Sequence, residues 1–418
     1  MSEIIVKPNG SLSGTVRISG SKNSSLPIMA ASLLTPGKNR ILNIPNLSDI
    51  NIMCELLCDA GATITHNAGY MEIDAKNLNF SPFRYNLVNK LRGSFLLTGP
   101  LLARLGHVKM PLPGGCPIGT RPIDLHLKGF AKLGAEISQG HGFVELSCKR
   151  LHGDRIYLDF PSVGATENII LAAATAKGVT VIHNAAKEPE ISDLADFLNS
   201  AGARIYGSGS DTIYIYGVKK LRGTKHFIIP DRIVAATYMA CAAITGGEVT
   251  LTGIMPSHMV SVLSVFRDAG CDIKITGKSL KISAEKRTLR VPTVRSLVYP
   301  GFPTDAGPVL IAMLSKSKGT SVFVENIFEN RFRYIDELKR LGAKIKTEGK
   351  IAVIEGTDEL SGANCKCTDL RGGAALVTAA LAAGGETVIS DIHHIERGYE
   401  DIVRDLKNLG ANIRYSDY

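Results

Sequence analysis

One phrase occurs six times along the chain, and it constrains the fold more than any other feature. It reads LLCDAGATI, GFAKLGAEI, FLNSAGARI, VFRDAGCDI, ELKRLGAKI and DLKNLGANI, with its glycine at positions 61, 134, 202, 270, 342 and 410. Glycine enters the left-handed backbone region without the steric cost of a Cβ, so each copy predicts a helix that ends at the glycine and leads into a strand. The repeat therefore predicts six α/β modules that must pack together to bury their apolar faces.

A second phrase lies between these copies, and it completes the module. It is an alanine- and leucine-rich helix, then glycine, then a β-rich run, as in LAAATAKGVTVIHNA and TAALAAGGETVISDI. We expect three modules on each side of a cut within residues 226–233. The predicted first lobe is 21–229, with a loop at 111–126, and the predicted second lobe is 1–20 plus 230–418. The opening strands are expected to complete the last module, and the two crossings predict a hinge.

Composition limits the class of protein and of partner. The 418 residues include 44% hydrophobic residues, without an apolar run of membrane-spanning length or a signal-like start, so we expect a cytoplasmic protein with no membrane partner. Eight cysteines without a C-x-x-C pair predict free thiols and no metal site. The net charge of +9 comes without a basic run or tryptophan, which favours an anion pocket over nucleic acid.

Charged residues recur at matching places in the modules. Helix starts are predicted at or beside six residues: Lys22, Arg92, Gly164, Asp231, Asp305 and Arg371. Cations at a helix N-terminus oppose the helix dipole, so the sequence predicts an anionic ligand that relieves this conflict. The loops before the second helices carry Cys116 with Arg121, Lys187, Arg331 and Arg397. Because the modules repeat, we expect these loops to line a shared cleft for a small polyanion.

A series of ordered blocks resembles a known family. They include GSKNSSLPI, GGCPIGTRPIDLH, SVGAT, NAAKEPEI, PDRI, FPTD, FENRF, TDLR and HIERGYE, and they run from about residue 5 to residue 415. The chain is similar to the UDP-N-acetylglucosamine enolpyruvyltransferases, relatives of EPSP synthase. The resemblance implies an α/β fold of two domains, each an inside-out α/β barrel of three βαβαββ repeats.

The resemblance also implies the reaction. Phosphoenolpyruvate would donate its enolpyruvyl group to the 3-hydroxyl of UDP-N-acetylglucosamine and release phosphate, by addition and elimination, in the first committed step of peptidoglycan synthesis. Neither a metal nor another cofactor is implied. The implied partners are these two small molecules, with no nucleic acid, and the implied state is a monomer or a weak homo-oligomer.

Particular residues match the family's catalytic and phosphoenolpyruvate-binding positions. The implied catalytic residues are Lys22, Cys116, Asp305 and Arg397. The implied phosphoenolpyruvate ligands are Lys22, Asn23, Arg121, Arg331, Arg371 and Arg397, with Arg331 and Arg371 on the carboxylate side. Cys116 would be the proton donor and the site of a covalent adduct, carried on a Gly/Pro-rich lid and sensitive to fosfomycin. Asp305 would accept the sugar hydroxyl proton, and its position also allows it to cap the next helix; Asp231 is a rival base.

A further set matches the positions that hold the UDP-sugar. It comprises Asn23, Arg92, Arg121, Pro122, Ile123, Asp124, Leu125, Ser162, Val163, Gly164, Asp305 and Ile327. The chain departs from some members of the family at Phe160 and Pro161, where a lysine can stand near the diphosphate, and at Leu96, which replaces an aromatic residue. These departures put nucleotide contacts in question more than the chemistry.

Two rival functions remain open at the level of sequence. A sister enolpyruvyltransferase could act on shikimate 3-phosphate or another acceptor, although the cysteine loop and SVGAT favour the UDP-sugar. The repeat and the positive charge could also serve RNA, as in the RNA 3'-terminal phosphate cyclase relatives of this architecture. That function would require an adenylating histidine motif, which we do not find in the sequence.

Overall fold

The computed structural model describes residues 3–79, 83–112, 119, 122–284 and 288–416. The chain divides into two compact units. The first unit consists of Gly20–Cys116 and Arg121–Ile229, and the second unit consists of Met1–Ser19, Pro117–Thr120 and Pro230–Tyr418. Each unit has its own hydrophobic core. The sequence also predicts that two lobes move about a hinge, and this stays a prediction.

The α-helices of the described residues include nearly fully buried ones and partly exposed ones. They are α1 (Lys22–Ala31), α2 (Ser48–Asp59), α3 (Tyr85–Lys90), α4 (Thr98–Leu105), α5 (Asp124–Lys132), α6 (Val163–Ala173), α7 (Pro189–Ser200), α8 (Arg232–Thr245), α9 (Val260–Asp268), α10 (Gly307–Leu314), α11 (Ile335–Arg340), α12 (Leu370–Ala380) and α13 (Ile402–Asn408). Short 3-10 helices span Ser32–Leu34, Arg92–Leu97, Pro256–His258, Thr304–Ala306 and Ile392–Arg397. In the part of the chain that the structure describes, no helix is long and apolar enough to cross a bilayer.

Three sheets lie in the first unit. In spatial order their strands are Lys225–Phe227, Lys38–Leu42, Tyr70–Asp74 and Thr63–Asn67; then Ile205–Tyr206, Thr212–Tyr216, Val179–His183 and Arg155–Tyr157; then His107–Pro111, Phe143–Ser147 and Glu136–Gly140. In each sheet, the strand after the first helix of a module pairs with the antiparallel hairpin that follows the second helix.

The sheets of the second unit follow the same plan. Their strands are Asn364–Lys366, Thr387–Ser390, Ile4–Val6 and Ile413–Tyr415; then Asp272–Thr276, Ser279–Ser283, Glu248–Thr252 and Ser13–Arg17; then Thr293–Arg295, Thr320–Val324, Ile351–Glu355 and Lys344–Glu348. A small parallel pair joins Leu360–Ser361 to Ala383–Gly384. The order parallel strand, helix, strand, helix and hairpin is the predicted βαβαββ module.

The buried helices explain why each unit has sheets outside and helices inside. In the second unit, α8, α10 and α12 pack on one another, and nearly all of their residues are buried. A helix that is apolar on every side must lie in a core, and the alanine-, leucine- and valine-rich sequences of these helices meet that condition. In the first unit, α4 packs on α6, and α1 packs on the 3-10 helix that leads into α4. The predicted inside-out α/β arrangement is therefore confirmed.

The repeated glycine performs the role that its position predicts. Its φ angle is +91° at Gly61, +90° at Gly134, +105° at Gly202, +82° at Gly270, +88° at Gly342 and +90° at Gly410. All six residues therefore occupy the left-handed region that an L-residue enters at a steric cost. The prediction that each helix ends at this glycine is confirmed.

The opening strands correct one expectation. Ile4–Val6 pairs with Thr387–Ser390 and with Ile413–Tyr415, so it completes the last module as predicted. Ser13–Arg17 instead pairs in parallel with Glu248–Thr252 of the fourth module. The strand before α8, Lys225–Phe227, pairs in parallel with the first module. The strand that precedes the first module thus pairs in the fourth, and the strand that precedes the fourth module pairs in the first. Each supplies the parallel strand at the edge of its four-stranded sheet.

Gly202 offers a test of the backbone requirement. A Cβ built there meets no atom within 4 Å, so only its φ of +105° opposes a larger residue. We expect Gly202→Ala to lower the free energy of unfolding by about 1–2 kcal/mol, measured by urea unfolding. Gly10→Ala is the control, because Gly10 also has open space but lies outside the left-handed region. Equal stability of the two variants would contradict the explanation.

Candidate active site

A carboxylate between two buried guanidinium groups dominates the polar interior of the second unit. Asp305 Oδ1 accepts a hydrogen bond from Arg331 Nη2 at 2.7 Å, and Asp305 Oδ2 lies 3.4 Å from Arg371 Nε. Both arginine side chains are 3% exposed, whereas that of Asp305 is 28% exposed. The two guanidinium groups offer planar sets of N–H donors, which makes this cluster suitable for a small anion.

Asp305 does not take the capping role considered for it. It lies within the 3-10 helix Thr304–Ala306, and α10 begins after it with Ala306 at the N-cap position. Arg371 lies in the first turn of α12, where Asp369 is the N-cap and accepts from the N–H groups of Arg371 and Gly372, both at 3.0 Å. The carboxylate of Asp305 is thus available to the arginines instead of to a helix end.

The predicted conflict between cations and helix dipoles is partly relieved by the protein itself. Arg371 lies beside Asp305, and Lys22, the first residue of α1, pairs with Asp49 through Nζ and Oδ2 at 3.1 Å. The protein thus supplies anionic partners of its own to these two cations, and the predicted anionic ligand stays a prediction. The sequence could not reveal these pairs, because Asp49 and Lys22 belong to different helices.

Tyr399 is a second partner of Arg371. Arg371 Nη1 lies 3.5 Å from the Tyr399 hydroxyl, which is itself 2.7 Å from Thr237 Oγ1. Burial disfavours the charged guanidinium, but the neighbouring acidic groups, Asp305 first, outweigh it and raise the pKa of Arg371 above its usual value. Arg371 therefore stays charged in a position where an isolated cation would be costly.

Glu325 organises the segment that carries Ile327 and Arg331. This carboxylate is buried and accepts from Ser296 Oγ at 2.8 Å and from Thr304 Oγ1 at 2.7 Å. It also accepts from the N–H group of Ile327 at 2.8 Å. Arg331 in turn donates to the carbonyl of Thr304 at 3.3 Å. A single acidic side chain thus ties the Ile327 loop to the 3-10 helix that carries Asp305.

In the first unit, a buried amide joins three of the segments that the resemblance assigns to the UDP-sugar. Asn168 Oδ1 accepts from the N–H of Gly99 at 2.9 Å, so its amide nitrogen must face the other two partners. That nitrogen donates to the carbonyl of Phe95 at 2.8 Å and lies 3.1 Å from His126 Nδ1. The 3-10 helix of Arg92, α5 and α6 are held together at this point.

His126 also explains Gly164. A Cβ at Gly164 would lie 3.2 Å from His126 Cε1, so glycine permits the close approach of α5 and α6. Ser162 caps α6 by accepting from the N–H of Ala165 at 3.3 Å. Burial, with a smaller contribution from Arg92, lowers the pKa of His126 to about 3. The ring is therefore neutral, with Nδ1 as acceptor and the proton on Nε2.

The remaining predicted residues have the following positions. Asn23, Pro122 and Asp124 are exposed, whereas Arg92, Ile123, Leu125, Val163, Ile327 and Arg397 are partly buried. Cys116 and Arg121 lie outside the described residues. Of the departures from the family pattern, Phe160 is 48% exposed, and Leu96 belongs to the hydrophobic core of the first unit.

Comparison with known proteins decides the family. A family model described as EPSP synthase (3-phosphoshikimate 1-carboxyvinyltransferase) matches residues 6–406. The chain belongs to the EPSP synthase family. Two curated relatives within it are named for UDP-N-acetylglucosamine. UDP-N-acetylglucosamine 1-carboxyvinyltransferase 1 of Caldanaerobacter subterraneus subsp. tengcongensis is 52% identical, over 98% of this chain and 99% of the relative. The corresponding protein of Finegoldia magna is 50% identical, over 99% and 98%.

Solved structures of the EPSP synthase family share the fold. The enolpyruvyl transferase NikO of Streptomyces tendae has a TM-score of 0.90 at 25% identity, with 99% of each chain covered. An EPSP synthase of Acinetobacter baumannii has a TM-score of 0.76 at 20% identity, with 100% of each chain covered. The predicted resemblance to this family is confirmed.

Sequence reasoning missed the polar residues that position the family's matched residues. Tyr399, Glu325, Asn168 and His126 contact matched residues or tie their segments together without having been singled out as ligands. Two of them lie within the matched blocks, because His126 ends GGCPIGTRPIDLH and Tyr399 lies in HIERGYE. Only their tertiary partners distinguish them from ordinary buried residues.

The neutral His126 predicts a specific dependence of stability on pH. Its pKa of about 3 in the folded chain lies below the usual value of 6.5, so the unfolded chain binds the proton first as the pH falls. Stability should therefore be unaffected above pH 6.5 and should decline by up to about 1.4 kcal/mol per pH unit below it. We expect His126→Gln to flatten this decline in urea unfolding between pH 7 and pH 5. An unchanged slope would show that His126 is not its source.

Proposed function

We propose that this chain transfers the enolpyruvyl group of phosphoenolpyruvate to the 3-hydroxyl of UDP-N-acetylglucosamine and releases phosphate, the first committed step of peptidoglycan synthesis. The observation that carries the proposal is the combination of full-length relatives named for this activity with the Arg331–Asp305–Arg371 cluster. The relatives supply the acceptor, and the cluster supplies a carboxylate base beside cations for an anionic donor.

The donor brings a carboxylate and a phosphate on a three-carbon skeleton. We assign its carboxylate to Arg331 and Arg371, whose planar guanidinium groups match a carboxylate with paired N–H donors. Both are buried, so an anion bound there interacts in a medium less polar than water. We assign the phosphate to Lys22, Arg121 and Arg397, with Asn23 at its side. These cations offset the negative charge that phosphate carries as it leaves.

The chemistry needs an acid and a base at different atoms. In the addition step, Cys116 gives a proton to the methylene carbon, and the sugar oxygen bonds to the adjacent carbon as its own proton passes to Asp305. In the elimination step, the former methylene carbon loses a proton, and the bond from the adjacent carbon to the phosphate oxygen breaks. The double bond is restored, and inorganic phosphate leaves. Neither step requires a metal or a cofactor.

Its exposure supports the assignment of Asp305 as the base. Its side chain is 28% exposed, whereas those of Arg331 and Arg371 are each 3% exposed. Asp231, the rival base, accepts from the N–H groups of Ile233 and Val234 at 2.8 and 3.0 Å as the N-cap of α8, and it is buried. We therefore favour Asp305, because helix capping already occupies the carboxylate of Asp231.

Cys116 is proposed as the nucleophile that forms a covalent adduct with phosphoenolpyruvate. The seven described cysteines support this choice, because burial, more than any other influence, raises the pKa of each of their thiols. The pKa reaches about 12 at Cys54, Cys241, Cys271 and Cys367, and about 11 at Cys365. These thiols are poor nucleophiles at neutral pH, since the thiolate is the reactive form.

The UDP-sugar is assigned to the residues around the buried amide of Asn168. They are Asn23, Arg92, Arg121, Pro122, Ile123, Asp124, Leu125, Ser162, Val163 and Gly164, together with Asp305 and Ile327. The start of α6 supports this assignment, since Ser162, Val163 and Gly164 lie at a helix N-terminus, where backbone amides favour phosphate groups. Because Leu96 lies in the core, we expect its departure from the family pattern to affect packing more than nucleotide contacts.

The cellular setting follows as part of the same proposal. We infer a cytoplasmic enzyme of cell-wall biogenesis, acting in cell shape and division, as a monomer or a weak homo-oligomer. Its partners would be the two substrates, without nucleic acid or membrane. The shikimate 3-phosphate alternative rests on the family description alone, and the solved EPSP synthases compared with this chain are similar only in fold.

The reaction is tested by phosphate release. We expect release from phosphoenolpyruvate only when UDP-N-acetylglucosamine is present, and we expect Cys116→Ala to lower the rate by at least about a hundredfold because the proton donor is lost. Shikimate 3-phosphate is the control acceptor and should give no release. Release with shikimate 3-phosphate alone would replace the proposed acceptor, and no release with either would reject the function.

The nucleophile is tested by mass spectrometry after incubation with fosfomycin at pH 7.5. We expect one adduct for each chain, at Cys116, because the thiol pKa of every described cysteine is raised. Cys58→Ala is the matched control, since Cys58 is the exposed member of the described set, and it should leave labelling unchanged. An adduct on any other cysteine would overturn the assignment.

A further inference from the structure

Asp193, in α7, belongs to none of the sites assigned above, yet its buried carboxylate joins three separate elements of the first unit. Ser24 Oγ donates to Oδ2, and the N–H of Ile229 donates to the same oxygen at 3.3 Å. His226 Nε2 lies 2.8 Å from Oδ1 and must carry a hydrogen there. The carboxylate is 4% exposed and satisfied by these donors, with no lysine or arginine salt bridge to it among the described residues.

Two of these elements matter for the substrate and for the course of the chain. Ser24 lies in the first turn of α1, which also carries Lys22 and Asn23. His226 belongs to the strand Lys225–Phe227, and Ile229 is the last residue of the first unit before the chain enters the second. Asp193 therefore connects a substrate-binding turn to the segment at which the chain leaves this unit.

The serines of GSKNSS strengthen this connection. Ser21 N–H donates to the carbonyl of Ile229 at 2.7 Å, and Ser21 Oγ caps α1 by accepting from the N–H of Ser24 at 3.3 Å. Ser25 Oγ donates back to the carbonyl of Ser21 at 2.8 Å. All three serines are buried, whereas Asn23 between them is exposed. The turn is thus fixed on its buried side, with Asn23 exposed and Lys22 paired with Asp49.

We propose that Asp193 is a positioning residue for Lys22, which it holds in place by fixing the first turn of α1 to residues 226–229. The proposal rests on the assignment of Lys22 to the phosphate of phosphoenolpyruvate. Ser24 is two residues from Lys22 on the same turn, so loss of its bond to Asp193 lets the turn shift. A displacement of about 1 Å at a binding group is enough to cost up to about a hundredfold in rate.

A purely structural role predicts different kinetics. A buried network that only stabilises the fold would change the midpoint of unfolding and leave the affinity of the folded enzyme for each substrate unaltered. A positioning role acts more strongly on the donor, because Lys22 and Asn23 of this turn are both assigned to the donor and only Asn23 is also assigned to the UDP-sugar. The structural role and the positioning role are therefore separated by two measurements. These are the change in the KM for phosphoenolpyruvate and the change in the KM for UDP-N-acetylglucosamine.

The test uses the full chain with two variants, Asp193→Asn and Ser24→Ala. Ser24→Ala removes only a hydroxyl from a helix, so it remains informative if Asp193→Asn folds poorly. We expect each to raise the KM for phosphoenolpyruvate by about tenfold and the KM for UDP-N-acetylglucosamine by a smaller factor, about threefold, since Asn23 of this turn is assigned to both substrates. The double variant should be no worse than Asp193→Asn alone, because both changes remove one link.

Asp196→Asn is the matched control. It removes the same charge from the same helix, but Asp196 is exposed, so all kinetic parameters should stay within about twofold. Equal changes in both KM values for Asp193→Asn and Ser24→Ala, or a lower unfolding midpoint without any change in KM, would overturn the proposal.

Hydrogen–deuterium exchange keeps this test separate from that of the proposed function. In Asp193→Asn, peptides covering residues 20–31 and 225–231 should both exchange faster, whereas Asp196→Asn should leave both unchanged. This readout does not depend on activity. If the wild-type chain is inactive but the variants show the expected exchange, the proposed function is rejected and the connection of α1 to residues 226–229 through Asp193 is kept. Faster exchange confined to α7 would reject the link itself.

Discussion

The second unit depends on one electrostatic arrangement, a carboxylate that lies between two buried arginines. Burying a guanidinium group is costly unless an opposite charge and hydrogen bonds compensate it. Asp305 supplies that charge to Arg331 and Arg371, and Tyr399 and the carbonyl of Thr304 supply further partners. The same requirement places a basic oxygen beside two cations, which is the chemical equipment that enolpyruvyl transfer from an anionic donor needs.

The repeated module explains why such groups gather at helix starts. The buried helices are mostly apolar, with exceptions such as Asn168 in α6, and their first turns are places where polar and charged residues are tolerated. Lys22, Arg371 and the capping residues Ser162, Asp231 and Asp369 all lie at these starts. The repetition therefore places polar and charged residues at equivalent helix starts, and the modules differ in which residue stands there.

Much of the fold followed from periodicity. The six glycines, the alternating apolar runs and the buried helices follow local rules, so their positions were predictable, and the family resemblance supplied the matched site residues. The pairs Lys22–Asp49 and Asn168–His126 were not predictable in this way. The pairing of the strands that precede the first and fourth modules was not predictable either. These contacts join residues far apart in sequence, and no local pattern distinguishes their partners from other buried polar residues.

The sequence by itself determined the module, its six copies and the chemical types available at each helix start, because turn geometry and hydrophobic periodicity act over a few residues. Only the tertiary structure decided which charges are neutralised within the protein. Asp305 was expected to act as a base and, in addition, to cap a helix; it does not cap α10, and its carboxylate lies between the two arginines where α10 packs against α12. The physical reason is that the energy of a buried charge depends on its neighbours in space, which the chain brings together only when it folds.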